Sequence, residues 1–330
     1  MALARTLPIL IAASCGSLPP PGACEVATTG NEVVDVASIA LADRPATFDD
    51  LRYSPSLGKV VAAPEGTGRL FLVDPDTLDV RSTDVPRGVG SADADATTVF
   101  VADRGASQIL AIDALALAKR AAGEVPGSPD YVRVSPTTGE VWVTIPSRNR
   151  LEIFDPHSLA PIGRVTVPGP PEGLTFDGSG RAYVNTFDTI VAIDVARRVV
   201  VGEWTRGCTI PHGFPQVDEP FGLAFGGCFS SGGAGVVTTS GELRAGFEAG
   251  TGEAVLAYDA TRHHLYLRGD PGATLDILAA CSDGQLGLLA SVPISNSGHA
   301  SSADDRGHVW VADATTGGVL RVTDPFPGTQ

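Results

Sequence analysis

Short apolar runs of four to seven residues, alternating in polarity and cut off by Gly, Pro, Asp or Ser, recur along the whole chain. No stretch shows the apolar spacing of a long amphipathic helix. One run ending in Asp repeats most clearly: RLFLVDP at 69–75, QILAIDA at 108–114, RLEIFDP at 150–156 and TIVAIDV at 189–195, closing on Asp74, Asp113, Asp155 and Asp194. Degenerate copies in GVVTTSG, TLDILAACSDG and VLRVTDP put Val237, Ala280 and Asp324 at the same place, so successive copies lie 39 to 44 residues apart. A second strand precedes most copies (VVAA, VFVAD, VWVTI, AYVNT, LYLRG, VWVAD). A third lies further upstream (LRYSP, YVRVSP, GLTFD, GLAFG, VLAYD), and an outer one follows (TLDVRSTDV, SLAPIGRVTV, RRVVVGEW, ELRAGFEA, LGLLASV). Four strands in about 40 to 50 residues is the pattern of a propeller blade. Seven such units predict an all-β, seven-bladed β-propeller of four-stranded blades. The last unit has no outer strand of its own, while NEVVDVASIALAD at 31–43 stands unpaired ahead of the first. The amino-terminal strand is therefore expected to complete the last blade and close the ring, making 31–330 a single domain.

The segment ahead of the repeats has a different character. Residues 1–15, MALARTLPILIAASC, carry one positive charge and an apolar stretch from Leu7 to Ala13, too short to span a bilayer. They read as an export signal. Ala12-Ala13-Ser14-Cys15 resembles a lipoprotein cleavage site with Cys15 as the lipidated residue, a plain secretory signal being the alternative. Residues 16–30, rich in Gly, Pro and Thr, read as a flexible spacer. The expected location is the periplasm or the outer membrane, with contact to membrane only through the lipid.

Charge narrows the partners. The chain has 23 Lys and Arg against 38 Asp and Glu, a formal charge of −15, and no basic run. Nucleic acid is excluded as an expected partner, because phosphate binding relies on clustered cations. The chain is expected to act as a monomer.

AYVNTFDTIVAIDVARRVVVGEW, from Ala182 to Trp204, resembles the YVTN repeat of bacterial seven-bladed propellers related to YncE. Repeats can be placed from Thr47 to Pro325. Gly207-Cys208, then Glu219-Pro220-Phe221-Gly222-Leu223-Ala224, then Cys228 follow an order found in several such propellers. TIPHGFPQVD, 209–218, reads as an inserted loop. The resemblance implies an exported propeller and fixes no ligand.

The propeller geometry organises the remaining candidates. Cys208 and Cys228 fall on one face and Cys24 and Cys281 on the other, so these two pairs are the expected disulfides, unbonded buried thiols being the alternative. Residues just before each innermost strand should ring one mouth of the channel: Asp49, Gly90, Asp130, Glu172, Phe221, Ala254 and His299. His212 and Glu219 are assigned to the same face. Such acids could hold Ca²⁺ with Glu172 as a ligand, could recognise a cationic or hydroxyl-rich group, or could simply be a wet channel mouth. Pro171-Glu172-Gly173 is similar to an element of gluconolactonase-type propellers, where its Glu binds metal. The adjacent His263 and His264 read as a solvated turn, and Trp142, Trp204 and Trp310 as packing between blades. The functional expectation is a binding or scaffold module for an envelope protein or glycan, with a metal-dependent lactonase-like hydrolase as the alternative.

Overall fold

The computed structural model describes residues 32–187, 189–205, 211–228, 233–247, 253–270, 273–295, 298, 300–304 and 306–329. Seven antiparallel four-stranded sheets make seven blades. Their first strands are Leu51–Ser54, Val89–Ala94, Val132–Val134, Leu174–Phe176, Pro211–Asp218, Glu253–Asp259 and Ser301–Ala303. Each of these touches the first strand of the next blade, and the seventh touches the first, so they line a central channel. In the last blade the outer position is taken by Asp35–Ala40, which pairs antiparallel with Gly318–Thr323, Asp35 opposite Thr323 and Ala40 opposite Gly318. The two chain ends share one sheet, and the ring has no unpaired inner edge.

The core is distributed rather than central. Seven apolar clusters among the described residues each sit between two neighbouring blades. Trp142 and Trp310, both fully buried, join blades 3 to 4 and 7 to 1, while Trp204, on an outer strand, leans against Tyr183. Polar links repeat with the blade period. Ser91 Oγ accepts the Val132 N–H at 3.1 Å and Asp93 Oδ2 the Val134 N–H at 2.9 Å, each 41 residues on.

The recurring Asp closes a turn, as its place at a strand end suggested. Asp74 Oδ1 accepts the N–H groups of Asp76 and Thr77, Asp113 Oδ1 those of Leu115 and Ala116, and Asp155 Oδ1 those of His157 and Ser158. Four residues after each Asp the chain turns left-handed at Leu78, Leu117, Leu159 and Arg198, and the N–H there returns to the Asp carbonyl. Leu159 is buried, so its side chain is kept for packing in a conformation that costs a non-glycine residue about 1–2 kcal/mol.

Blade 5 corrects the sequence reading. The segment read as an inserted loop supplies its innermost strand, Pro211–Asp218, and GLAFG belongs to the second strand, Leu223–Cys228. Gly213 and Pro215 break the alternation, and the pairing shifts register between His212 and Gln216, which hides the strand from a period-two search. The paired histidines are corrected as well. They point apart, but not into solvent: His263 Nδ1 lies 2.8 Å from Asp218 Oδ2 and its ring stacks on Phe221, while His264, fully buried, lies 2.7 Å from Asp324 Oδ2.

Candidate binding site at the channel mouth

The loops leading into the inner strands gather at one end of the channel. Asp49, Asp130 and Glu172 each stand two residues before an inner strand. Backbone bonds set their positions: the Asp130 N–H donates to Thr144 O at 2.9 Å and the Glu172 N–H to Asn185 O at 2.8 Å, both on the second strand of the same blade. Gly173 follows Glu172 because a Cβ there would lie 2.4 Å from the Gly213 carbonyl of blade 5. Buried Asn185 donates to that carbonyl at 2.9 Å, so the Pro-Glu-Gly segment is also a seam between blades 4 and 5.

A guanidinium that the sequence reading passed over lies among these acids. Arg104, just after the second strand of blade 2 (Thr98–Asp103), donates Nη2 to Asp49 Oδ2 and, at 2.6 Å, to Asp130 Oδ1; its Nη1 donates to Glu65 Oε1 at 3.0 Å. It sits 5.9 Å from the centroid of the Tyr131 ring, whose hydroxyl donates to Asp49 Oδ1 at 3.4 Å. The ring position of blade 2 is Gly90, and a Cβ there would lie 2.8 Å from Arg104 Nη1. Blade 2, with a glycine in place of an acid at this position, makes room for the cation. Arg104 follows Asp103 where blade 7 has Ala314 after Asp313, and that departure from the repeat was the available signal.

One cation does not neutralise so many carboxylates. Burial raises Asp130 to about 6, Arg104 opposing and Asp49 adding to the rise. Burial likewise raises Glu172 to about 7, with repulsion from Asp130 and Asp49 added and attraction from Arg104 offsetting part of it. The Arg104 guanidinium is held charged, since Asp49 and Asp130 outweigh the cost of its burial. At neutral pH the mouth therefore carries surplus negative charge and one carboxyl poised between its two forms.

Below the mouth the channel is filled. Arg133, on the inner strand of blade 3, binds Asp50 through two contacts of 2.7 and 2.8 Å and lies 4.1 Å from the centroid of the Phe214 ring. Ser91 Oγ donates to Asp50 at 2.6 Å. Deeper in, a cavity of about 50 Å³ remains beside Arg52, Arg133 and Ser302.

The other expected site residues fare differently. Glu219 is not at this mouth: it follows an inner strand instead of preceding one, and its Oε2 accepts the Gly178 N–H at 2.9 Å at the opposite end of the channel. Phe221 moves with it, a consequence of the shifted strand assignment in blade 5. His212 lies on the inner strand of that blade, opposite Gly227, with its side chain outside the described residues. His299 is outside them too, as are Cys15, Cys24 and Cys208.

The donor set does not suit Ca²⁺, one of the three readings of these acids. That ion takes about six to eight oxygen ligands, whereas Asp49 and Asp130 spend oxygens on Arg104, and among the described residues no three His, Cys, Asp or Glu side chains are placed to hold one ion.

No protein-family model and no curated protein matches this chain. Solved structures do. Virginiamycin B lyase from Staphylococcus aureus is 16% identical with a TM-score of 0.72, over 88% of this chain and 99% of that one. Hydrazine synthase of Kuenenia stuttgartiensis is 14% identical, TM-score 0.71, over 86% and 96%. The RRP9 WD40 repeats are 9% identical, TM-score 0.74, over 93% and 99%. The shared feature is the β-propeller. At these identities it carries the fold alone, and a lyase, a synthase and a set of WD40 repeats share it.

Proposed function

We propose that this chain is an exported propeller of the YVTN-repeat kind, tethered by a lipid on Cys15 in the periplasm or outer membrane, whose channel mouth binds an envelope protein or glycan without turning it over. The observation that carries this reading is Arg104 bridging Asp49 and Asp130. A guanidinium already seated among the acids makes a preorganised polar surface, and the surplus charge around Glu172 favours a cationic or hydroxyl-rich group on the partner. Disulfides Cys208–Cys228 and Cys24–Cys281 belong to the same proposal. The first is supported by backbone pairing: Pro211, three residues after Cys208, lies opposite Cys228.

The alternative, a metal-dependent lactonase-like hydrolase, draws support only from Glu172, a half-buried carboxyl raised to about 7 in the manner of a catalytic acid or base. Elemental analysis of the purified mature chain and its Glu172→Gln variant, with a panel of sugar lactones and phosphoesters, separates the two. The module reading expects no stoichiometric metal in either protein and no turnover. About one Ca²⁺ per chain that is lost in the variant, or turnover that depends on Glu172, overturns it and puts the hydrolase first.

A further inference from the structure

The face that carries the mouth has a second concavity, away from the channel. It lies between the segment that leads from the closing strand into blade 1 and the turn and outer strand of that blade. Its volume is about 560 Å³, within the usual range of small-molecule pockets. Among the described residues three arginines line it, Arg44, Arg69 and Arg87, with Asp43 as the one lining carboxylate. In a chain of 38 acidic and 23 basic residues, that reverses the overall balance.

The guanidiniums are held to different degrees. Arg69 is pinned: Nη1 donates to Asp84 at 2.9 Å, Nη2 to Ser82 Oγ, and its charge lies 6.0 Å from the Phe71 ring centroid in the pocket wall. Arg87 donates Nη1 to the Gly66 carbonyl at 2.6 Å, which leaves Nε and Nη2 as donors. It lies over Gly68, at φ +71°, where a Cβ would come within 3.3 Å of Arg87 Cγ and 3.2 Å of Val85 O. The glycine lets the Arg87 stem lie along the turn. Arg44 is exposed at the rim, on a segment anchored by the Ala42 N–H to Gly317 O at 2.9 Å and the Ala46 N–H to Ala314 O at 3.2 Å. Planar forks with donors to spare, on anchored backbone, match the oxygen pairs of carboxylate and phosphate. Leu41, Val80 and Phe71 supply an apolar wall behind them.

We propose that this pocket binds a compact polyanion, a small soluble ligand bearing carboxylate or phosphate groups, with Arg44 and Arg87 as the recruiting cations and Arg69 as the fixed one. The proposal is independent of the channel mouth. Calorimetric titration of the full chain at low ionic strength with citrate, with inorganic pyrophosphate and with sucrose as the uncharged control tests it. Expected is one-to-one binding of citrate, of pyrophosphate or of both, none of sucrose, and affinity at least tenfold lower in Arg44→Ala/Arg87→Ala. Should the double variant lose its circular dichroism signature, Arg44→Ala alone, an exposed rim residue, is expected to show a smaller loss of affinity. Glu172→Gln is expected to leave this binding unchanged, so failure here and failure at the mouth are read separately. Absence of heat with both anions, or equal affinity in wild type and a folded arginine variant, overturns the proposal. The anion that binds assigns the ligand class.

Discussion

Glu172 and Asp130 resist ionisation in the folded chain, which links the mouth to pH. Both hold their protons to higher pH folded than unfolded: Glu172 moves from 4.5 to about 7 and Asp130 from 3.8 to about 6. Between about pH 4 and 7 the folded state therefore binds more protons, and stability falls as pH rises through that window. Urea unfolding at pH 5 and pH 8 is expected to show the wild type less stable at pH 8 by on the order of 1–2 kcal/mol, discounted for partial exposure. Glu172→Gln is expected to lose roughly half as much, and an equal loss in both proteins removes Glu172 as the source. Replacing Arg104 by Met takes away the attraction that offsets both shifts. Carboxyl NMR titration of that variant is expected to place Glu172 and Asp130 higher than in the wild type. The acids were legible in the sequence because each precedes a recognisable inner strand. Arg104 was not, because it follows a second strand in a single blade and reaches the ring only through the gap at Gly90.

At the scale of strands, the repeat was readable where alternation is clean and failed where Gly and Pro interrupt it. Third strands ending in Asp stand out because the carboxylate is needed to accept the turn N–H groups, a local requirement written in the same residue each time. The inner strand of blade 5 meets no such local rule. It is held by pairing with Leu223–Cys228, by the 2.8 Å contact of Asp218 Oδ2 with His263 Nδ1, and by the Tyr258 hydroxyl, which donates to Asp218. Its partners lie across one blade and into the next, so no local pattern marks the segment as a strand. The closing strand was visible by elimination, as a strand with no unit of its own. A chain lacking residues 1–43 leaves Gly318–Thr323 as an open edge and uncovers part of the cluster between blades 7 and 1, which includes Ile39. Thermal and urea unfolding are expected to show a loss of more than about 3 kcal/mol. Unchanged stability argues that the ring closes without it.

At the scale of the whole molecule, charge as well as packing joins the blades around the channel. Arg133 and Asp50, with side chains 3% and 2% exposed, join blade 3 to the loop before blade 1 across blade 2. Asp50→Leu strands a buried guanidinium and is expected to cost about 3–5 kcal/mol in urea unfolding, while Asp50→Leu/Arg133→Met is expected to recover most of it. A double variant as unstable as the single one shows that the pair does more than cancel charge. By itself the sequence determined the number of blades, the order of most strands, the closure of the ring and the acids before the inner strands, because each follows from a period-two pattern or a local turn that a short segment specifies alone. The tertiary structure decided which cation those acids share, which end of the channel Glu219 occupies, what the paired histidines hold and where three arginines meet. Those depend on residues 18 to 60 positions apart being brought together, and pairwise distance across blades is not encoded in the periodicity of any one of them.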